Sequence, residues 1–105
     1  MDLNYFKKTR ILDGGMGQEL LAKGLISKGT LWSTSALLDD KFHQLLIDVH
    51  RSFINAGADV IVTNNFSSRK VRLIENKVED KFEYVNKKAC ELANKAREIS
   101  KENIL

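Results

Sequence analysis

Phe42, Leu45, Leu46, Val49, Phe53 and Ile54 recur at steps of three and four. That spacing lines one side of an α-helix. Asp39 or Asp40 stands where the first turn's unpaired N–H groups want a capping side chain, and Gly57 stands where a helix end wants a left-handed residue. "ADVIVTNN" follows, with Val60, Ile61 and Val62 as an unbroken β-branched run. A run without polar alternation suits a strand covered on both faces, as in a parallel sheet. Upstream, "TRILDGG" reads as a short strand ending in a glycine turn. Strand, helix, strand in this order predicts a right-handed βαβ unit.

Residues 18 to 40 have no clear period. A short helix is expected near Glu19–Lys23, then a loop that packs Leu31 and Trp32 down, with Trp32 as a packing anchor. A short helical segment is expected from about Ser68 to Glu75. The last helix is long, near Glu79 to Lys101, because Phe82, Val85, Ala89, Leu92, Ala96 and Ile99 step by three and four. At about three heptads, one helix packed on a sheet fits better than a coiled coil. The chain stops at "KENIL", a helix end with no third strand after it.

Composition narrows the classes. The 105 residues suit one domain or a piece of one. Apolar residues make up 43% and charged residues 30%, as in soluble proteins. No apolar run approaches the roughly 20 residues of a membrane span, and "MDLNYFKKTR" lacks the apolar centre of a signal peptide. The expectation is a cytoplasmic protein without a membrane partner. Net charge is +3, with Lys and Arg interleaved with Glu and Asp as in "KVEDKFEYVNKK". That pattern marks a solvated helix face, not a nucleic-acid footprint. A single cysteine, Cys90, excludes an internal disulfide. A cysteine-rich zinc site from this chain alone is excluded too.

Two segments carry candidate chemistry, because function in parallel α/β proteins gathers at the carboxyl ends of strands. After the first strand comes "DGGMG", where Asp13 offers an anion and the glycines let a backbone approach a ligand. After the second comes "TNNFSS", where Thr63, Asn64, Asn65, Ser67 and Ser68 offer neutral donors and acceptors. Each has a plain alternative: "DGG" is a common turn, and "TNN" suits a helix N-cap. The glycines do not make a dinucleotide fingerprint, since Leu20 stands where the last glycine belongs. His43 and His50 lie two turns apart (about 10 Å), too far for one metal ion. Structural roles are expected for both, with His50 hydrogen-bonded near the core edge. Cys90 reads as a small buried residue.

In order and spacing, "ILDGGMGQEL", "LWSTSALL" and "VHRSFINAGADVIVTNNF" resemble the N-terminal part of the homocysteine S-methyltransferase family. That family includes the homocysteine-binding domain of cobalamin-dependent methionine synthase. The resemblance spans roughly residues 9 to 100. It implies an α/β fold, the first two βα units of an incomplete (β/α)8 TIM barrel, with 1–105 as an N-terminal fragment of the homocysteine-binding domain. It also implies methyl transfer to the homocysteine thiol, giving methionine. Zinc held by cysteine thiolates would keep that sulfur deprotonated. Those cysteines come later in the family, and Cys90 sits at no matching position. Asp13 matches the acidic residue that accepts a hydrogen bond from the substrate amino group, and Gly14 a position whose backbone lies against the substrate. Phe66 falls in the loop that lines the pocket, beside Thr63 and Asn64, which complete the expected substrate-binding set. Gln18 and Asn65 depart from residues common in the family and keep polar groups there.

A complete barrel takes about 250 residues, so this chain alone is expected to be inactive, with no catalytic residue and no metal ligand of its own. The methyl donor stays open. One alternative is a non-catalytic α/β module that pairs with a partner or with itself through open sheet edges. A weaker one is a phosphate-binding protein that uses the "GGMG" turn.

Overall fold

The computed structural model describes residues 3–100. The helix end expected at Lys101, the "KENIL" terminus and the first two residues of "MDLNYFKKTR" lie outside the described residues. Among these residues there are five α-helices: α1 (Met16–Ala22), α2 (Ser35–Leu38), α3 (His43–Asn55), α4 (Lys70–Glu75) and α5 (Phe82–Ile99). Single 3₁₀ turns lead into α2, α3 and α5.

Helix α3 forms as its apolar stripe requires. Asp39 accepts a hydrogen bond from the Lys41 N–H at 3.3 Å and starts the 3₁₀ turn Asp40–Phe42, on which the helix is built. Gly57 ends it at φ +114°, a backbone conformation that costs a residue without Cβ nothing. Leu46, Val49 and Ile54 are buried, and Phe42, Leu45 and Phe53 pack on the core from its margin. Ile47 and His50 widen the buried face beyond the expected stripe.

Helix α5 packs against α3 through Val85, Ala89, Leu92 and Ala96. The alanines keep this face low, so the two helices approach closely. Phe82 is partly buried, and Ile99, the last of the expected stripe, is 43% exposed. Leu20, Leu25, Leu31, Ala36, Leu37 and Leu73 close the core from α1, α2, α4 and the loops. Helix α1 starts earlier than expected, at Met16, and α4 later, at Lys70.

The expected sheet is absent. Among the described residues there is no strand, and Leu12 and Val60 form one isolated parallel bridge. This overturns the α/β architecture of two βα units of a TIM barrel, and with it the open sheet edges of the pairing alternative. The reason lies in the hydrogen bonds. The Val60 N–H donates to the Ile11 carbonyl at 3.1 Å, and the Asp13 N–H to the Val60 carbonyl at 3.0 Å. The next rungs of a parallel ladder would run from Val62 N–H to the Asp13 carbonyl, and from Ile11 N–H to the Ala58 carbonyl. Side chains take both donors. Asp13 Oδ2 accepts from Val62 N–H at 3.0 Å, and Asp59 Oδ2 from Ile11 N–H at 2.9 Å. The pair is capped at both ends after one bridge. Nor is it covered on both faces: Ile11, Leu12 and Val62 are 59%, 60% and 55% exposed. Two strands without further cover are marginal in water.

Candidate functional site

The bridge brings the glycine turn and the residue 62–67 segment to one open hollow of about 470 Å3. Asp13, Gly14, Thr63, Asn64 and Phe66, the five residues singled out from the sequence, all line it. Trp32 and Ser33 from the turn before α2, and Arg72 from α4, complete its wall.

Asp13 is half-buried. Its burial raises the carboxyl above the ordinary value of 3.8, opposed by the N–H groups of Val62 and of Asp13 itself. Two effects compete here, as they do wherever a carboxylate is both desolvated and hydrogen-bonded. A cation arriving beside it would favour the ionised form.

The glycines have packing reasons. A Cβ on Gly14 would lie 3.0 Å from the Phe53 ring of α3, and one on Gly17 would lie 3.0 Å from the Trp32 indole. Close packing therefore accounts for both positions without a ligand. Trp32 itself is 43% exposed, with φ +52°. A bulky residue in the left-handed region is a true outlier, held at a cost of order 1–3 kcal/mol. The expected packing anchor is thus a strained wall of the hollow, while its neighbour Leu31 is buried as foreseen.

The "TNN" segment is tied down by its own side chains. Thr63 Oγ1 donates to Asn65 Oδ1 at 2.8 Å, and Asn65 Nδ2 donates to Asn86 Oδ1 of α5 at 3.0 Å. Buried Asn64 donates from Nδ2 to the Ser33 carbonyl at 2.9 Å. Ser68 and Thr34 share a buried hydroxyl pair at 2.9 Å. The segment is not the cap of α4, whose N-cap position is Arg69. Its bonds instead fix the hollow's floor to the Trp32–Thr34 turn. Phe66 is 81% exposed at the rim, with the Arg69 guanidinium 5.3 Å from its ring centre.

Other expected roles move. His50 is fully buried, and neither ring nitrogen has a hydrogen-bond partner. It is not a bonded residue at the core edge, and burial lowers its pKa to about 4. His43 is structural as expected, its Nε2 lying 2.9 Å from the Leu37 carbonyl. Cys90 is exposed, not buried. It borders a separate hollow with Thr63, Asn94 and Arg97. Among the described residues, no three His, Cys, Asp or Glu side chains converge as metal ligands. The described residues therefore do not fit zinc. No helix among them is long and apolar enough to cross a membrane.

Trp32 and Arg72 were not among the site residues expected from the sequence, yet both line the hollow. Trp32 carried a signal in its neighbourhood, an aromatic after Gly29 and Thr30 in a segment with no period. Arg72 carried none, being one of 17 Lys and Arg residues in the chain.

The family model for homocysteine S-methyltransferase matches residues 10–105. The chain is 36% identical over 81 residues to the S-methylmethionine–homocysteine S-methyltransferase of Rattus norvegicus, covering 77% of this chain and 20% of that protein. It is 33% identical over 91 residues to homocysteine S-methyltransferase 2 of Zea mays, covering 85% and 26%. It is 30% identical over 89 residues to the homocysteine S-methyltransferase of Escherichia coli K12, covering 84% and 28%. The chain thus matches 20% to 28% of the length of these relatives. No solved structure matches it. By the family match, which covers nearly the whole chain, the protein belongs to the homocysteine S-methyltransferase family.

Proposed function

We propose that this chain supplies the amino-group side of the homocysteine site in a methyl transfer that turns homocysteine into methionine, and that it is an N-terminal part of the homocysteine-binding domain. The observation that carries this reading is the gathering of Asp13 with Gly14, Thr63, Asn64 and Phe66 around one hollow in a chain of this family.

Asp13 is the group suited to an ammonium. Its Oδ2 is positioned by the Val62 N–H, so the carboxylate is oriented before a ligand arrives. Such pre-organisation reduces the ordering cost of binding. Gly14 and Gly15 present backbone at the rim, and Trp32 and Phe66 offer apolar walls to a thioether-sized chain. Thr63 and Asn64 hold the floor through the bonds described above.

Zinc belongs to the proposal at the level of the whole protein, where it would keep the substrate sulfur ionised near neutral pH. The described residues hold no donor set for it. The chain alone is therefore expected to bind homocysteine without methylating it. The name of the Rattus norvegicus relative includes S-methylmethionine, which makes that sulfonium the first donor to try.

Trp32 is the sole tryptophan and lines the hollow, so its fluorescence reports occupancy. A titration of the purified chain with homocysteine is expected to change that fluorescence saturably. Incubation with homocysteine, zinc and S-methylmethionine is expected to give no methionine above background. A flat titration, or turnover by the chain alone, would overturn this reading.

A further inference from the structure

We infer that Arg72 receives the carboxylate of an amino-acid ligand in the hollow, so that Asp13 and Arg72 bind the two opposite charges of one zwitterion. The inference rests on the reading of the hollow as an amino-acid site and adds a residue to it.

Asp13 and Arg72 are the one acid and the one base among the lining residues. They stand on separate elements, Asp13 after the bridge and Arg72 on α4. Arg72 forms no ion pair with a carboxylate among the described residues. A hydrogen bond from its side chain, Nη1 to the Thr30 carbonyl, is long at 3.4 Å. Arg72 is half-buried, and with so weak a side-chain tie it keeps donors for a planar, bidentate acceptor, which a carboxylate is.

The bland alternative makes Arg72 a clip that holds the residue 28–31 loop to α4. Asn76 already serves that purpose. Its Oδ1 accepts from the Thr30 N–H at 3.3 Å, and its Nδ2 donates to Thr30 Oγ1 at 2.9 Å. Asn76 Nδ2 also donates to the Arg72 carbonyl at 2.9 Å, and neighbouring Leu73 is fully buried. The Arg72 backbone is thus anchored, and the residue lines the hollow. A space of about 470 Å3 lies in the range of small-molecule sites.

The carboxylate could belong to homocysteine or to a sulfonium donor such as S-methylmethionine. Calorimetric titration of the 105-residue chain with each amino acid and with its methyl ester separates these sources. For the true ligand, the wild-type chain is expected to bind the acid at least about tenfold tighter than the ester, the usual scale for a charged hydrogen bond. Arg72→Met is expected to close that gap to about twofold, mostly by weakening the acid, and Arg72→Lys to restore part of it. A merely structural role would weaken acid and ester alike. That result, or an unchanged gap in Arg72→Met, overturns the inference while homocysteine binding by the wild type stands. A gap that closes for S-methylmethionine, in a chain that does not bind homocysteine, supports Arg72 and sinks the homocysteine reading. Binding of neither amino acid overturns both.

Discussion

The Asp13 carboxylate accepts the Val62 main-chain N–H at 3.0 Å, in the place a parallel ladder would give to the Asp13 carbonyl. One side chain therefore ends the backbone pairing and fixes an anion at the rim of the hollow. Asp59 caps the other end through the Ile11 N–H. The acid that made "ILDGG" interesting as a site is also what stops "IL" from becoming a strand.

Replacing Asp13 separates these two roles. Asp13→Asn keeps an oxygen to accept the Val62 N–H, so the fold should persist. Burial raises the folded-state pKa of Asp13 above 3.8. A carboxyl raised in this way contributes stability below its unfolded pKa and loses it as pH rises through the folded value. The Asn variant is thus expected to be at least as stable as wild type at pH 7, with its advantage shrinking toward pH 3. Urea unfolding at the two pH values checks this. A loss of more than about 1 kcal/mol at pH 7 would show that the charge itself holds the turn.

His50 makes acid the weak side of this fold. Its pKa falls from 6.5 to about 4 on burial, so the unfolded chain binds the extra proton first. Stability is complete above about pH 6.5 and declines as pH falls toward 4, by roughly 2 kcal/mol at pH 5. His50→Leu is expected to flatten this slope. It should not destabilise at pH 7, because neither ring nitrogen has a partner to lose. Thermal unfolding between pH 4.5 and 7.5 measures both effects.

The α3–α5 contact holds the core together. Leu46 is fully buried, whereas Ile99 is 43% exposed. Leu46→Ala is expected to cost about 2–5 kcal/mol, and Ile99→Ala less than about 1 kcal/mol. Equal losses in chemical denaturation would mean that the end of α5 is packed more tightly than this structure shows.

Gly17→Ala tests the tie between α1 and the strained tryptophan. The position is helical, where alanine gains up to about 1 kcal/mol over glycine. Its Cβ would press on the Trp32 ring at 3.0 Å, and that half-exposed ring has the open hollow to move into. Stability is expected to change by less than about 1 kcal/mol, while the Trp32 emission maximum shifts. A large loss of stability without a spectral shift would show that the ring cannot give way.

What the sequence made legible depended on local periodicity. The stripes from Phe42 to Ile54 and from Phe82 to Ala96 marked the two helices that pack together, and Gly57 marked a helix end through its need for positive φ. The run Val60–Val62 misled because β-branched residues report a fit to a pleated, covered surface. Among the described residues that surface is only part-covered, with Val62 55% exposed, and Asp13 and Asp59 divert its hydrogen bonds. Of the candidate site, Asp13, Gly14, Thr63, Asn64 and Phe66 were legible by segment, and the fold brings them to one hollow. Trp32 and Arg72 were not, since their place depends on a left-handed turn and on the position of α4. Nothing in residue spacing encodes either.

Whether Asp13 holds homocysteine in the hollow is tested most directly by a homocysteine titration of isotope-labelled wild type and Asp13→Asn, followed residue by residue through their amide signals. Saturable shifts are expected at Asp13–Gly17 and Val62–Phe66 in the wild type, and at least about tenfold weaker binding in the folded variant. Wild-type signals that do not move, or equal affinity in the two proteins, would contradict this role of Asp13.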